Sequence, residues 1–525
     1  MEPACLRQTD IPHTTRLFSD FQYHFERLAS FYRYNPHDPA SYADSARKVS
    51  LADDRRAALV AALRARNGDS ASLEKLAQPG TVAVVTGQQV GLFSGPSYTI
   101  YKALTAVRLA ATLSERGIPA VPIFWLATED HDFAEVNHAF VFDTAQRPIR
   151  LTIEGETSER PVGAIPIAAP PVAELRKVLA GFPHGDEVAE AVRAAYEPGA
   201  TFGCAFQKLL ERLLASQGLL FIDPLDEAVR RLAAPILEAA LEEGDLLKEK
   251  LLARNRELEK AGYHAQVHLE QKTSLVFLLD GERRITLRRQ NGHYLARDGR
   301  RYSGADLIDR ADHLSPNALL RPVVQDFVLP TVAYVGGPAE LAYMAQSQVA
   351  YEHLLGRMPV MVSRGGFTLI DSRAAKLMQR YSLKVTDLLH GEDPVRARIA
   401  QQLIPEALGR EFASVRNATS EALERMQADL ASFDGTLADA AAKSRAKMLY
   451  QLSKIESKVA RETLRRDERA SGDAAYLSGL VYPEKHLQER LYSILPFLAK
   501  HGFELIDTLA GQIRLECPDH CVLTV

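Results

Sequence analysis

The clearest pattern of apolar and polar positions lies in residues 81–138. An apolar run at residues 81–85 is followed by a polar, glycine-bearing segment at residues 86–95, and a helical pattern begins at Pro96. A second apolar run follows at residues 121–126. Strand, loop, helix and strand in this order make one βαβ unit. The pattern therefore predicts an open α/β sheet, with residues 86–95 as a loop at the carboxyl end of its first strand.

The rest of the N-terminal two thirds alternates between helical and strand patterns. Residues 15–75 carry apolar side chains three and four positions apart, which predicts helices. Residues 140–320 mix short strands with helices, and Asp280-Gly281 and Asn291-Gly292 are strong signals for hairpin turns. A strand pattern returns at residues 328–335. We therefore expect residues 140–320 to be inserted into the α/β core.

The C-terminal third is mostly helical. Two sets of apolar residues there repeat three and four positions apart: Leu423, Met426, Leu430, Phe433 and Leu437, then Met448, Leu452, Ile455 and Val459. This spacing with charged flanks predicts a coiled coil, and its length favours a projecting antiparallel pair of helices with a turn near residues 434–446. Beyond it, residues 504–507 and 513–515 show strand patterns.

These patterns divide the chain into five segments. They are the N-terminal helices with the first half of the core (1–139), the inserted segments (140–320), the second half of the core (321–374), the coiled-coil arm (375–470) and a C-terminal return segment (471–525).

Composition agrees with an ordinary globular protein. The 525 residues are 46% hydrophobic and 25% charged, and this length suggests about two to four domains. The net charge of −4 gives no argument for nucleic acid or an anionic membrane as a partner. No apolar run approaches the roughly 20 residues that span a bilayer, and residues 1–10 lack the apolar core of an export signal.

The cysteine content favours a cytoplasmic location. Four cysteines in this length do not make a disulfide framework, so a reducing compartment is expected. Cys517, His520 and Cys521 resemble half of a zinc site, but no second pair of ligands stands nearby in the sequence. Incidental thiols are the favoured interpretation.

The glycine-bearing segment is a candidate binding loop. Its glycines, Gly87, Gly91 and Gly95, match neither the dinucleotide fingerprint nor the P-loop, so they indicate either tight turns or an anion site at the start of the following helix. Gln88 and Gln89 favour a polar ligand, because adjacent amides are costly to bury without partners.

A dense polar cluster follows the second apolar run. Glu129, Asp130, His131 and Asp132 come directly after it, and they indicate either catalytic groups or a solvated loop. A histidine here, or His138, is suited to accept an amine proton because histidine titrates near neutral pH. The carboxylates would orient the histidine or hold Mg²⁺.

Further candidates follow the later strands. Tyr334, Gly336 and Gly337 end one strand, and Arg364 follows the next, where it would hold a phosphate or carboxylate or lie on a surface turn. Because loops after parallel strands open on one edge of a sheet, we expect one crevice to contain residues from all these groups.

Three motifs together resemble a known family. They are the segments at residues 86–102, 124–138 and 330–340, which occur in the order expected of the bacillithiol-biosynthesis cysteine-adding family. The similarity extends over nearly the whole chain, including Tyr482-Pro483 and residues 487–490.

The resemblance implies a nucleotidyltransferase-type Rossmann-like core with inserted connecting segments and a C-terminal coiled coil that forms a homodimer. It implies a ligase that adds L-cysteine to glucosaminyl-malate in the last step of bacillithiol biosynthesis. ATP or ADP with Mg²⁺ stays open as a cosubstrate. Related class I synthetases carry a His-x-Gly-His motif after the first strand, and this chain has no histidine there.

The motifs and the strand-end positions nominate the site residues, without assigning a metal ligand. The catalytic candidates are His131, Asp130, Asp132 and His138. The candidates for binding substrate or nucleotide are Gln88, Gln89, Ser94, Gly95, Glu129, Asn137, Tyr334, Gly336, Gly337, Glu340 and Arg364.

Two other classes of function remain open. One is a non-catalytic, nucleotide-binding coiled-coil scaffold, and the other is a metal-dependent hydrolase built on the acidic cluster. The polar clusters favour an enzyme over a scaffold. The sequence lacks a paired His-x-x-x-His ligand spacing beside the acids, which disfavours the hydrolase.

Overall fold

A computed structural model of the chain describes residues 4–155, 159–270, 272–290 and 292–525. Its strands are β1 (Ala4–Leu6), β2 (Val82–Gln89), β3 (Ala120–Ala127), β4 (His138–Phe142), β5 (Pro148–Thr152), β6 (Leu220–Ile222), β7 (Thr273–Asp280), β8 (Arg283–Gln290), β9 (His293–Ala296), β10 (Arg301–Tyr302), β11 (Leu314–Pro316), β12 (Thr331–Gly336), β13 (Val360–Ser363), β14 (Phe367–Ile370) and β15 (His520–Thr524).

The α-helices are α1 (Arg16–Tyr23), α2 (Pro39–Lys48), α3 (Asp53–Asn67), α4 (Ala71–Ala77), α5 (Tyr98–Glu115), α6 (Phe133–Val136), α7 (Val172–Leu179), α8 (Gly185–Ala195), α9 (Phe202–Leu213), α10 (Glu227–Glu242), α11 (Gly244–Lys260), α12 (Gly304–Ile308), α13 (Arg321–Val328), α14 (Pro338–Leu354), α15 (Ser372–Arg380), α16 (Val385–Leu388), α17 (Glu392–Gln402), α18 (Glu406–Phe433), α19 (Gly435–Arg466), α20 (Glu468–Val481), α21 (Gln488–Leu491), α22 (Leu495–His501) and α23 (Leu505–Gln512).

The core is a parallel five-stranded sheet with the strand order β13-β12-β2-β3-β6. Starting from β2, the chain adds β3 and β6 on one side and then β12 and β13 on the other. The direction of winding therefore reverses between β2 and β12, which is the position where open α/β sheets bind their ligands. The predicted α/β core is confirmed, and its order is that of a Rossmann-like sheet.

Both faces of this sheet are covered. On β3, Phe124 and Leu126 belong to a buried cluster on one face, while Ile123 and Trp125 belong to the cluster on the other. Successive side chains of a strand point to opposite faces, so a strand buried on both sides has a continuous apolar sequence. This explains the uninterrupted apolar run at residues 121–126.

β2 is longer than the pattern predicts. It continues through Gly87 and Gln88 to Gln89, paired with β3 along its whole length, so the loop predicted at residues 86–95 begins only after Gln89. A Cβ atom at Gly87 would lie 2.8 Å from the carbonyl oxygen of Trp125 on β3. Glycine is therefore needed here for the close approach of two strands and not for a turn.

The segment predicted as inserted contributes to three sheets, one of which is the two-stranded antiparallel pair of β4 and β5. β6 joins the edge of the core sheet, while β7 to β11 form a separate antiparallel sheet in the order β10-β9-β8-β7-β11. The hairpin predicted at Asp280-Gly281 joins β7 to β8, and the hairpin signal at Asn291 falls on a residue outside those the structure describes. The five predicted segment boundaries remain predictions.

The coiled-coil arm is an antiparallel pair formed by α18 and α19. The helices are separated only by Asp434, whose carboxylate accepts a hydrogen bond from the backbone N–H of Thr436 at 2.7 Å and so caps α19. The predicted pair is confirmed. The turn also explains why the two sets of apolar residues are out of frame, since Leu437 belongs to α19 and not to the first set.

The C-terminal return segment differs from its prediction. Residues 504–507, predicted as a strand, lie at the start of helix α23 instead, and residues 513–515, also predicted as a strand, belong to neither a helix nor a strand. The final strand is β15. β15 pairs with β1 on one side and with β14 on the other, so the two ends of the chain meet in one small sheet. Among the described residues, no helix is both long and apolar enough to cross a membrane.

Candidate active site

The carboxyl ends of β2, β3 and β12 open into a cavity of about 580 Å³. It lies where the strand order reverses, and residues of the antiparallel sheet form its opposite wall. The structure brings together nine of the residues nominated from the sequence in this cavity: Gln88, Gln89, Glu129, Asp130, His131, Tyr334, Gly337, Glu340 and Arg364. Their catalytic and binding roles remain predictions.

A buried lysine connects the two central strands beneath the cavity. Lys102 on α5 is 1% exposed, and its ammonium donates hydrogen bonds to the backbone oxygen of Gly87, to Oε1 of Gln88 at 3.2 Å and to Oε2 of Glu340 at 2.6 Å. All three donor positions of the ammonium are thus used. Lys102 therefore fixes the Gln88 amide and the Glu340 carboxylate in one orientation.

Glu340 also caps the helix that follows β12. Its Oε2 accepts a hydrogen bond from the backbone N–H of Gly337 at 2.8 Å, and its Oε1 accepts one from the Tyr334 hydroxyl at 2.6 Å. Pro338 occupies the first turn of α14, where its missing N–H costs nothing. Glu340 therefore satisfies the N–H of Gly337 at the N-terminus of α14 and fixes the Tyr334 hydroxyl beside it.

Gln89 holds the acidic cluster against β2. Its amide nitrogen donates to Oδ2 of Asp130 at 2.6 Å and to Oε2 of Glu135 at 2.7 Å. Burial opposes ionisation of Asp130, but the bond from Gln89 and the charge of Arg284 outweigh burial and lower its pKa. Asp130 is thus a fixed anion at neutral pH, and it does not suit a role in proton transfer.

His131 contacts an arginine from the antiparallel sheet. Nη1 of Arg284 lies 3.2 Å from Nδ1 of His131, and since an arginine only donates, Nδ1 must be the acceptor and Nε2 must carry the ring proton. Burial and the arginine charge lower the pKa of His131, which keeps the ring neutral at pH 7. The ring therefore offers a hydrogen-bond donor to the cavity.

Glu129 has the protonation behaviour expected of a base. It is buried at the end of β3, and burial raises its pKa to about 7 even though the charge of Arg284 acts in the opposite direction. A general base works best when its pKa is close to the working pH. Among the carboxylates in the cavity, Glu129 is therefore better suited than Asp130 to accept a proton.

Arg364 is held by a carboxylate on the C-terminal segment. Its Nη2 and Nη1 lie 2.6 and 3.0 Å from the two carboxylate oxygens of Glu489, and the guanidinium stacks on the ring of Tyr98. This bidentate pair is buried, so the charge of Arg364 is largely neutralised. Arg364 lines the cavity, and its pairing with Glu489 anchors the C-terminal segment to the core sheet.

The two parts of the chain match two models of one family. Residues 1–365 match the N-terminal Rossmann-like domain of bacillithiol biosynthesis BshC, and residues 367–525 match the C-terminal coiled-coil domain of the same family. The chain belongs to this family. The resemblance noted from the three motifs is thus confirmed.

Curated relatives are similar over the whole length. A protein of Solibacter usitatus (strain Ellin6076) is 55% identical over 525 residues, and one of Koribacter versatilis (strain Ellin345) is 37% identical over 537 residues. Each comparison covers 100% of both chains. A protein of Salinibacter ruber (strain DSM 13855 / M31) is 32% identical, covering 86% of this chain and 84% of its own. All three carry the name "Putative cysteine ligase BshC".

Six residues nominated from the sequence do not line the cavity: Ser94, Gly95, Asp132, Gly336, Asn137 and His138. Asp132 is exposed and caps the short helix α6 through the backbone N–H of Glu135. His138 begins β4, where its Nδ1 contacts the amide of Asn137 at 3.2 Å. Asp132 is the last residue of the acidic cluster and His138 lies beyond α6, so at both positions the polypeptide has already left the sheet edge.

The predicted anion site at the start of α5 is filled by the protein itself. The backbone N–H and the hydroxyl of Ser97 both donate to the carbonyl oxygen of Tyr492 at 2.7 Å, and the buried Ser94 hydroxyl lies 3.4 Å from that of Ser493. The C-terminal segment therefore covers this loop. The groups present there do not fit a phosphate.

Four cationic residues of the cavity were not nominated from the sequence: Lys102, Arg284, Arg321 and Arg490. Lys102 follows Tyr98 by one helical turn, and this spacing was a signal that both face the same side of α5. Arg284 comes from a separate sheet, and no local pattern brings it to the acidic cluster. Among the described residues, no group of three or more His, Cys, Asp or Glu side chains is placed to hold a metal ion.

Proposed function

We propose that this chain is a carbon–nitrogen ligase that joins L-cysteine to glucosaminyl-malate in the last step of bacillithiol biosynthesis. The observation that carries the proposal is the full-length match to relatives named as cysteine ligases, the first of them 55% identical. A cavity of about 580 Å³ falls within the range of sites that enclose small molecules. It offers both charged and apolar walls to two polar partners.

The cavity supports recognition of an anionic substrate. Arg321 and Arg490 line it, and within the described part of the chain neither forms an ion pair with a carboxylate. Arg321 is held from behind, because its guanidinium donates to Gln325 at 3.1 Å and to Tyr343 at 2.8 Å. An arginine fixed in this way suits the planar carboxylates of a malate group.

The same cavity provides groups for amide formation. The cysteine amine must lose its proton to attack a carboxyl carbon, and Glu129, with its pKa near 7, is the carboxylate suited to accept that proton. The Nε2–H of His131 would donate to the oxygen on which negative charge develops. Asp130 and Gln89 hold the segment that carries both residues.

Amide formation also requires an activated carboxyl, for which a nucleotide with Mg²⁺ is a common source. The loop at residues 92–95 offers no open phosphate site, because the C-terminal segment covers it. No residue of this loop is therefore placed to hold a nucleotide phosphate.

We further propose a homodimer that assembles through the coiled-coil arm and works in the cytoplasm. Large apolar side chains along the arm are exposed, which is unusual for a surface that faces only water. They are Leu408, Val415, Met426, Phe433, Leu437, Met448, Tyr450 and Ile455.

A deletion strain and a reconstituted reaction test the proposed reaction. Cells without the gene should accumulate glucosaminyl-malate and lose bacillithiol, as measured by mass spectrometry of their thiols. Wild-type gene on a plasmid should restore bacillithiol, Glu129→Gln should not, and the exposed control Glu249→Gln should. A deletion strain with undiminished bacillithiol would contradict the proposal.

A further inference from the structure

Two cysteines from opposite ends of the chain lie side by side. Sγ of Cys5 on β1 is 4.0 Å from Sγ of Cys517, which lies in the segment between α23 and β15. The two residues are 512 positions apart in sequence, and both thiols are free. Sequence spacing alone gives no sign of this contact, because it depends on the pairing of the first and last strands.

The segment that carries Cys517 is fixed against the N-terminal helices. The amide nitrogens of Gln8 and Gln22 each lie 3.2 Å from the carbonyl oxygen of Pro518. The Tyr23 hydroxyl donates to Oδ1 of Asp519 at 2.7 Å. These three bonds hold the residues next to Cys517, so its proximity to β1 is built into the fold.

Cys5 is accessible and lies on an edge strand. It is exposed, β1 has only three residues, and β1 pairs with β15 on one side only. A disulfide requires the sulfur atoms to approach to about 2.05 Å. Side-chain rotation together with a small shift of this short strand supplies the remaining approach of about 2 Å.

We propose that Cys5 and Cys517 form a reversible disulfide by exchange with low-molecular-weight disulfides. The Cys5 thiolate attacks one sulfur of the small disulfide, which forms a mixed disulfide and releases one thiol. The Cys517 thiolate then displaces the second thiol. Two protein thiols and one small disulfide give one protein disulfide and two small thiols, with both protons passing to the departing thiolates.

The proposal specifies Cys517, and not a third nearby thiol, as the partner of Cys5. Cys521 lies directly opposite Cys5 in the β1–β15 register, so it is the competing partner. Burial raises the pKa of Cys521 to about 11, which leaves it mostly protonated near neutral pH. Although the Cys5 residue is exposed, partial desolvation of its thiol and the neighbouring Cys517 raise the pKa of Cys5, so exchange should become faster as the pH rises.

Peptide mapping after treatment with L-cystine tests the pair. The reduced full-length chain is incubated with L-cystine at pH 8 and digested with a protease that cleaves before aspartate. Asp519 separates Cys517 from Cys521, so residues 1–9 should be found linked to residues 507–518. Dithiothreitol should reverse the link, and the oxidised chain should melt at a higher temperature because the disulfide restricts the unfolded chain.

Control variants assign the bond. Cys521→Ser and Cys204→Ser should still form it, because Cys204 is an exposed thiol on α9 that takes no part in the β1–β15 sheet. Cys5→Ser should form no internal disulfide. A link from residues 1–9 to residues 519–525, or cysteinyl adducts without any internal bond, would overturn the proposal.

Discussion

The ammonium of Lys102 and the carboxylate of Glu340 lie 2.6 Å apart across the point where the strand order reverses. The lysine follows β2 and the glutamate follows β12, so the ion pair joins the two halves of the core sheet beneath the cavity. Breaking such a pair leaves one buried charge without a partner, which costs more than the pair itself contributes.

Lys102→Met should therefore destabilise the fold. We expect a loss of about 3 kcal/mol in the free energy of unfolding, since removal of one partner from a buried pair typically costs about 3–5 kcal/mol and Glu340 keeps some contact with solvent. Denaturant unfolding measures this. The double variant Lys102→Met/Glu340→Gln should lose less than the sum of the two single changes, and the exposed control Lys447→Met should lose nothing. An unchanged midpoint for Lys102→Met would contradict the expectation.

Glu129→Gln should remove the base and its pH dependence. If Glu129 accepts the amine proton, wild-type kcat/KM should rise with pH through about 7 as the carboxyl ionises. The glutamine variant should lose that rise and turn over about 10²–10⁴-fold more slowly. A pH profile of the purified variant decides this. If the variant keeps the same rise of kcat/KM with pH, the rise belongs to another ionisable group.

Glu129→Gln should lower activity, but it should raise the stability of the fold above neutral pH. The pKa of Glu129 is raised from 4.5 to about 7 on folding, so the folded state binds the proton more tightly and wild-type stability falls as the pH rises through this interval. Glu129→Gln should melt higher than wild type at pH 8 and close to wild type at pH 4. Equal melting differences at both pH values would mean that the carboxyl is not buried as described.

His131 should act as a donor through Nε2. A glutamine amide reaches about as far as Nε2, whereas an asparagine amide reaches only to the position of Nδ1. We therefore expect His131→Gln to retain more turnover than His131→Asn or His131→Ala, with a loss of about 10²-fold or more for the latter two. Turnover and melting temperature are measured on the same samples. Undiminished turnover with a lower melting temperature would make His131 a purely structural residue.

Arg321→Met should weaken binding of the anionic substrate. Loss of one charge-assisted hydrogen-bonding group costs about 1.5–3 kcal/mol, which corresponds to at least about a tenfold increase in KM for glucosaminyl-malate. The KM for cysteine should change less. Arg297, an exposed arginine outside the cavity, provides the matched control Arg297→Met. Equal changes in the KM for both substrates would contradict the assignment.

Charges on the arm should separate the dimer. Met448 and Ile455 are about half exposed on α19, and a carboxylate at each position would be costly to bury between two copies. Light scattering should give a dimer for wild type and a monomer for Met448→Glu/Ile455→Glu, with little change in melting temperature at high dilution. A wild-type monomer at micromolar concentration would end the dimer proposal.

The sequence predicted those parts of the fold that depend on local pattern. The apolar strands, helix α5 and the antiparallel arm all appear where periodicity indicates them. Residues 504–507 and 513–515 were assigned wrongly as strands, because short apolar groups such as Leu505 and Ile506 fit a buried helix as well as a strand. β2 was predicted too short, because glycine and glutamine ordinarily indicate a loop.

Only part of the cavity was predictable from the sequence, because some of its residues are far apart along the chain. Gln89, Asp130 and Tyr334 were correctly expected to lie together, because parallel strands end at one edge of a sheet. Arg284 reaches the same place from an antiparallel sheet, and no rule of spacing predicts how two sheets are placed against each other. Ser94 was expected at the cavity, but the C-terminal segment, some 400 residues later, covers it.

The pairing of β1 with β15 also affects how the protein is made. Ribosomes add about 5–20 residues per second, so a chain of 525 residues takes on the order of half a minute or longer to complete. Throughout that time β1 has emerged without its partner strand, and an unpaired edge invites association with other chains. Nascent chains should therefore depend on chaperones until β15 has emerged, and a fragment ending at residue 365 should be far more prone to aggregate than the 525-residue chain.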